Sequence, residues 1–315
     1  MNLKEIQQPI EELLEETSHI LEERVKSDIS VINDITGLAP VSRGKKIRST
    51  LQFLLAGITD SLLPEYQHPQ IAASIEMFHL SSLIHDDVVD NSKLRRGKET
   101  LHNNLGNNMT VLWGDYLFIS SFNALNRIGK KILMDIILKA ARMMIEGQII
   151  ELANTFNFNM DESIYYDIIN KKTSSLFAAV TQIAAALNGE SEETQEKYFQ
   201  FGLDFGTIFQ VSDDMLDIFS ETSGKDRFSD LKEGKITLPF ILLGKECRKD
   251  LEKHFENKDP EKLLHLFKEC GTKELCLKAI DKYFNRANDF LAPFPDSNFK
   301  VSLLNLLEFI RYRDY

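Results

Sequence analysis

Apolar residues recur at three- and four-residue intervals along almost the whole chain, the period of helices that bury one face. Ile6, Ile10, Leu13 and Leu14 make one stripe, Leu133, Ile136, Ile137 and Ala140 a second, and Leu303, Leu306, Leu307 and Ile310 a third. The pattern breaks at Gly37-Leu38-Ala39-Pro40, Leu63-Pro64, Gly106-Asn107-Asn108, Asn188-Gly189, Ser223-Gly224, Pro260 and Pro293-Phe294-Pro295, residue types that stop helices and turn the chain. No Pro/Ser-rich linker divides the chain and no repeat of fixed period recurs. The pattern predicts an all-α fold, one domain over residues 1–315 with ten or more helices. Segments 71–91 and 176–187 are long and rich in small residues, as central helices need. The longest uncharged stretch, residues 173–189, contains Ser, Thr, Gln and Asn and is short of a membrane span.

Composition agrees. Among 315 residues, 43% are apolar and 27% charged, a soluble globular balance, and 15 Gly with 8 Pro are too few for a turn-rich β protein. The net charge of −11 argues against a general nucleic-acid binder. The first twenty residues are acidic and amphipathic, unlike a secretory signal or an Arg-rich transit peptide. Cys247, Cys270 and Cys276 lack metal-ligand spacing, and an odd number excludes a complete disulfide framework. A reduced, cytoplasmic protein is the simplest reading.

The chemistry lies in two acidic clusters. Leu83-Ile84-His85-Asp86-Asp87-Val88-Val89-Asp90 puts Asp86 and Asp90 on one helix face, about 6 Å apart along the axis, where like charges destabilise the helix. A solvated acidic turn would explain one such cluster. The pattern returns 127 residues later as Asp213-Asp214-Met215-Leu216-Asp217, again after an apolar run. Two helices carrying three carboxylates each need a common neutraliser. Hard oxygen donors without Cys or His suit Mg²⁺, which keeps waters and favours phosphate oxygens, so a phosphate-bearing ligand is implied. Cations stand nearby in sequence. Gly44-Lys45-Lys46-Ile47-Arg48 opens an apolar helix, where free N–H groups attract anions. Lys93-Leu94-Arg95-Arg96-Gly97-Lys98 follows the first cluster with four cations in six residues, two of them arginines suited to forked phosphate contacts.

Taken together, GKKIRS, LIHDDVVDNSKLRRG, Lys172-Thr173, GTIFQVSDDMLD, Gly224-Lys225-Asp226 and residues 230–239 (DLKEGKITLP) resemble the trans-isoprenyl diphosphate synthases, in that family's order from Gly44 through Pro239. The resemblance implies a helical bundle around a central cavity. It also implies elongation of an allylic diphosphate by isopentenyl diphosphate, with two or three Mg²⁺ ions and a homodimer. By it, Asp86, Asp90 and Asp213 ligate metal, while Asp87, Asp214 and Asp217 orient metal-bound waters. Arg95, Lys172, Lys225 and Lys235 grip the allylic diphosphate. Gly44, Lys45, Arg48, His79 and Arg96 form the isopentenyl diphosphate site. Thr173 and Gln210, with Lys172, meet the developing allylic cation; equally, they are polar residues bonding one helix to the next. Ser49 and Glu99 stand where the family has Pro, which changes loop rigidity rather than ligands. The match of Arg311-Tyr312-Arg313 to the family's C-terminal flap is weak.

Product length is expected to depend on the helix before the first cluster. Four and five residues before Asp86 stand Ser82 and Ser81, both small, where short-product relatives carry bulk. Phe78 stands eight residues before Asp86, about 12 Å deeper than that aspartate, and Ile75 is deeper still. The expected product is longer than farnesyl, hexaprenyl to octaprenyl, suited to a quinone side chain, and Tyr at Ser81 is expected to shorten it. Helix packing alone would also explain the two serines. The alternatives are a shorter farnesyl or geranylgeranyl synthase, a terpene cyclase, disfavoured by the second DDxxD, and a non-catalytic subunit, disfavoured by both clusters being intact.

Overall fold

Helices form nearly everywhere the apolar period predicts them. The structure, a computed structural model, describes residues 2–38, 41–42, 44–59, 67–95, 98–220, 228–256 and 259–312. In chain order its helices are α1 (Leu3–Gln7), α2 (Glu11–Arg24), α3 (Ser30–Leu38), α4 (Ile47–Ile58), α5 (Gln67–Val89), α6 (Leu101–Leu105), α7 (Asn107–Arg127) and α8 (Lys131–Ala153). They continue with α9 (Glu162–Ile169), α10 (Ser175–Leu187), α11 (Glu192–Phe219), α12 (Ser229–Lys232), α13 (Leu238–Glu256), α14 (Pro260–Glu269), α15 (Thr272–Leu291) and α16 (Asn298–Arg311). Side chains fix several starts: Asp161, Ser191, Asp259 and Ser297 each accept a first-turn N–H, satisfying donors the helix cannot. One short antiparallel pair, β1 (Leu94–Arg95) with β2 (Lys98–Glu99), interrupts the helical pattern. Among the described residues no helix is long and apolar enough to cross a membrane.

The chain divides into two compact units. The first comprises Gln7–Ile136 and Ile183–Glu190. Its centre is α5, whose residues Ile71, Ala72, Ala73, Ile75, Met77 and Phe78 are all buried, as the small-residue pattern requires. Helices α2, α4 and α7 pack on it. The approach to α7 is close because Ser81, fully buried, donates its hydroxyl to the Gly114 carbonyl at 2.8 Å, and a Cβ at Gly114 would strike the His85 ring. Asn91 ends this segment in the left-handed region (φ 50°), with Ser92 N donating to Asp87 O at 3.0 Å, a helix stop for which Asn is suited.

The second unit comprises Met1–Ile6, Ile137–Gln182 and Ser191–Tyr315. Its long α11 packs along α15, burying Phe201, Phe205, Ile208 and Met215 with Ile280, Ala287 and Leu291. Buried Asp204 is held by Arg286, whose Nε and Nη2 groups each donate to one of its oxygens. The Sγ atoms of Cys247, at a kink in α13, and Cys270 lie 3.0 Å apart, and Cys276 is buried. Of the three apolar stripes, only Leu13 is not buried.

Candidate active site

Asp86, Asp87 and Asp90 occupy the last turn of α5 and the residue after it, where the unfilled carbonyls of the helix already make the potential negative. Asp86 and Asp90 are half-buried, whereas Asp87 is buried and takes the Arg95 Nε–H at 2.6 Å. Burial pushes the Asp87 carboxyl above the usual range, and Arg95 offsets only part of that. The β1–β2 pair delivers Arg95 to this partner. In the same pair Glu99 faces Leu94, not Arg95. Arg96 lies outside the described residues.

Gly44 and Lys45 are exposed just before α4, and the Lys45 carbonyl is tied down by Gln7 Nε2 at 2.9 Å. Lys46 sits in the left-handed region (φ 49°) and reaches Ser18 and the Leu14 carbonyl, so it faces away as an anchor. Arg48, in the first turn of α4, is pushed down to about 10 by burial, while Glu76 pulls it back up. Glu76 lies on α5 three residues before half-buried His79, on the same side of the helix. The Ser49 hydroxyl and N–H both donate to Glu76 Oε1, at 2.6 and 3.2 Å. Proline would provide neither donor, so Ser49 tethers α4 to α5 through the carboxylate beside Arg48. No local pattern in the chain marks that role.

Along α5 toward its N-terminus, Ser82 turns its hydroxyl onto the His79 carbonyl at 2.8 Å, and Phe78 and Ile75 are buried. Phe78 is not alone. Its ring centroid is 5.7 Å from both Phe118 and Phe122 of α7, which are themselves 4.6 Å apart. These two aromatics were not singled out from the sequence, because only the packing of α7 on α5 brings them to Phe78. Since Ser81 already bonds the α7 backbone, Tyr at that position would have to displace α7.

In the second unit, residues Asn170–Ser174 form one turn of π-helix between α9 and α10, a local widening common at functional sites. It carries Lys172 and Thr173. Two glycines admit it: a Cβ at Gly147 would stand 2.5 Å from the Lys172 nitrogen, and one at Gly206 2.4 Å from the Ser174 Cα. Lys172 pairs with Glu151 of α8, and Lys235 with Glu233 at 2.7 Å. Lys225 lies outside the described residues. Thr173 donates to Gln210 Oε1 at 2.8 Å, Gln210 Nε2 to Asp214 Oδ1 at 2.8 Å, and the Tyr165 hydroxyl to Asp214 Oδ2 at 2.6 Å. Asp217 accepts from Ser229, side chain and N–H, and from Asp230 N. Asp213 is half-buried on α11. Lys172, Thr173, Gln210, Asp214 and Lys235 line one cavity of about 110 Å³ with Tyr165 and Asp230. Glu151 and Tyr165 carry no signal in the chain, and Asp230 stands in the DLKEGKITLP segment without an assigned role, since each meets its partner only through the fold.

Burial raises Asp214 and Asp217, and Asp230 to about 7, with the Asp217 charge also acting on Asp230. A carboxyl whose folded value lies above the unfolded value of about 3.9 stabilises the fold below that value and loses this contribution as pH rises through the folded value. The metal-free protein should therefore melt lower at pH 8 than at pH 6. Asp230→Asn should raise its melting temperature at pH 8 and shrink the difference. Thermal melts in a chelator check this, and an unchanged difference in the variant counts against it. The donor set fits a hard divalent cation, being carboxylate oxygen crowded beyond what the adjacent cations neutralise. Among the described residues, no three of His, Cys, Asp or Glu are grouped to enclose an ion on their own.

Residues 31–270 match the polyprenyl synthetase family model. The chain belongs to the polyprenyl synthetase family. It is 29% identical to the octaprenyl diphosphate synthase of Escherichia coli, over 100% of both chains. It is 30% identical to a short chain isoprenyl diphosphate synthase of Methanothermobacter thermautotrophicus, over 96% of this chain and 98% of the other. A polyprenyl synthase of Caulobacter crescentus CB15, solved with calcium and isoprenyl diphosphate, superposes with a TM-score of 0.90 at 28% identity, over 100% of this chain and 98% of that one. As a polyprenyl synthetase the protein is a prenyltransferase that carries out trans-prenyl chain elongation, and the family uses a divalent metal with the diphosphate.

Proposed function

We propose that this synthetase extends an allylic diphosphate with isopentenyl diphosphate to an all-trans product longer than farnesyl, in the hexaprenyl to octaprenyl range. The observation that carries the length is the pairing of two serines before Asp86 with the first bulk at Phe78, backed by Phe118 and Phe122. Relatives at near-equal identity include long- and short-chain synthases, so the residues facing the tail, not overall identity, support the reading.

Two or three Mg²⁺ ions, held by Asp86, Asp90 and Asp213 with waters steered by Asp87 and Asp217, would supply Lewis-acid stabilisation of the leaving diphosphate. Arg95, Lys172 and Lys235 add fixed positive charge where negative charge accumulates. Arg48, Lys45, Gly44 and His79 orient the isopentenyl diphosphate, and Glu76 with Ser49 keeps Arg48 in register. The Thr173 hydroxyl and Gln210 carbonyl present oxygen to the developing cation. No protein nucleophile is required. We read both units as one catalytic domain and the protein as a cytoplasmic homodimer. Exposed apolar residues on α7 (Leu112, Ile119) and on α8 (Leu138, Ile145, Ile149, Leu152) support the dimer.

The deciding experiment is incubation of purified protein with Mg²⁺, farnesyl diphosphate and isopentenyl diphosphate, followed by product sizing. Products of thirty to forty carbons are expected; no product with any allylic primer removes the reading. Phe78→Ala should shift the distribution at least one isoprene unit longer. An unmoved distribution would place the floor elsewhere.

A further inference from the structure

Resting on the prenyl transfer proposed above, we infer that Tyr165 is a positioning residue for the cation-facing pair: through Asp214 it fixes which end of the Gln210 amide meets Thr173. Three hydrogen bonds make the chain. Tyr165 donates to Asp214 Oδ2 at 2.6 Å, Gln210 Nε2 donates to Asp214 Oδ1 at 2.8 Å, and Thr173 donates to Gln210 Oε1 at 2.8 Å. Tyr165 is 3% exposed and Asp214 2%, so solvent does not compete for these groups. All four residues line the same cavity.

An amide end is nearly symmetric in shape, so its neighbours decide whether its oxygen or its nitrogen faces a given side. In this geometry both Asp214 oxygens accept, Oδ2 from Tyr165 and Oδ1 from Gln210. Asp214 therefore takes the NH₂ end of Gln210 and turns the carbonyl toward Thr173. Thr173 spends its single proton on that carbonyl, which leaves the hydroxyl lone pairs outward. The cavity thus receives two electron-rich oxygens, the polarity an allylic cation needs. Tyr165 caps the other Asp214 oxygen and keeps the carboxylate plane from rotating. Without the Tyr165 hydroxyl the carboxylate is released, and the Gln210 amide is free to present its N–H groups instead. The ground-state substrate carries no cation and is indifferent to that change. The ionising substrate is not, so the loss falls on kcat rather than KM.

Steady-state kinetics on the purified enzyme test this with Tyr165→Phe, Gln210→Leu and the double variant. Tyr165→Phe should lower kcat about tenfold with both KM values within about twofold. In the Gln210→Leu background the same change should cost nothing further, since the amide it orients is gone. An unchanged kcat in Tyr165→Phe overturns the inference, as does an equal loss in both backgrounds, which marks a merely structural tyrosine. If Tyr165→Phe melts far below wild type, the cycle is repeated at a lower temperature at which every variant is folded. There too, equal losses with and without Gln210 overturn the inference. A wild-type enzyme without turnover would instead remove the proposed function.

Discussion

Alanine at Asp86 or at Asp213 is expected to reduce kcat by about a thousandfold or more while leaving the protein folded. Each side chain is half-buried and crowded by like charge: Asp86 beside Asp87 and Asp90 at a helix end, Asp213 beside Asp214 and Asp217. Removing one carboxylate relieves that repulsion, so kcat should fall far more than the melting temperature of the metal-free protein. Catalysis has no such compensation. On the proposed function these carboxylates would hold the metal against the leaving diphosphate, and electrostatic stabilisation of departing charge is usually the largest single contribution to such a rate. Asp87→Ala should behave differently. It unseats Arg95 and leaves a gap at a buried position, so stability falls along with activity. Melting curves in chelator and kcat at saturating Mg²⁺ separate the two classes. More than a tenth of wild-type kcat in either Asp86→Ala or Asp213→Ala contradicts the assignment.

Gly206→Ala is expected to destabilise the protein by about 2–3 kcal/mol and to lower activity beyond what that loss explains. The added methyl group meets the Ser174 Cα at 2.4 Å, and neighbouring backbone cannot swing aside as a flexible side chain can. The π-helical turn must move, taking Lys172 and Thr173 with it. Gly37→Ala is the matched control: it also lies in a helix, but no described residue stands within 4 Å of its would-be Cβ, so stability should hold or improve slightly. Chemical denaturation of both variants, with kcat of the folded fraction, reads the contrast. Equal stability of the two would show that the π turn does not need the close approach.

The contrast between these glycines shows what was legible in the chain. Apolar period and breaker residues located the helices because both are local signals. The buried stripe Leu133, Ile136, Ile137 and Ala140 and the long α5 follow from them directly. The aspartate clusters stood out because like charge repeated on an apolar helix has no local explanation. What stayed hidden depends on contacts between distant segments. Tyr165 and Asp214 are 49 residues apart, Ser49 and Glu76 are 27, and no period or propensity joins them. The π turn left only a faint trace, the polar run Lys171-Lys172-Thr173-Ser174 between two apolar helices, with Gly147 and Gly206 as unexplained gaps in packing. The short β1–β2 pair left no signal in the apolar period, because two-residue strands are too short to show alternation.

The three described cations of the proposed diphosphate grip share a circumstance: Arg95 rests on Asp87, Lys172 on Glu151 and Lys235 on Glu233. Substrate entry is then a barter of anions, in which the diphosphate displaces carboxylates that are already seated. Ion pairs made replace ion pairs broken, so added salt weakens both sides of the exchange alike. Affinity for the allylic diphosphate should consequently depend on ionic strength less steeply than three bare cations would require. Once the diphosphate leaves, each released carboxylate would return to the cation it had been seated on.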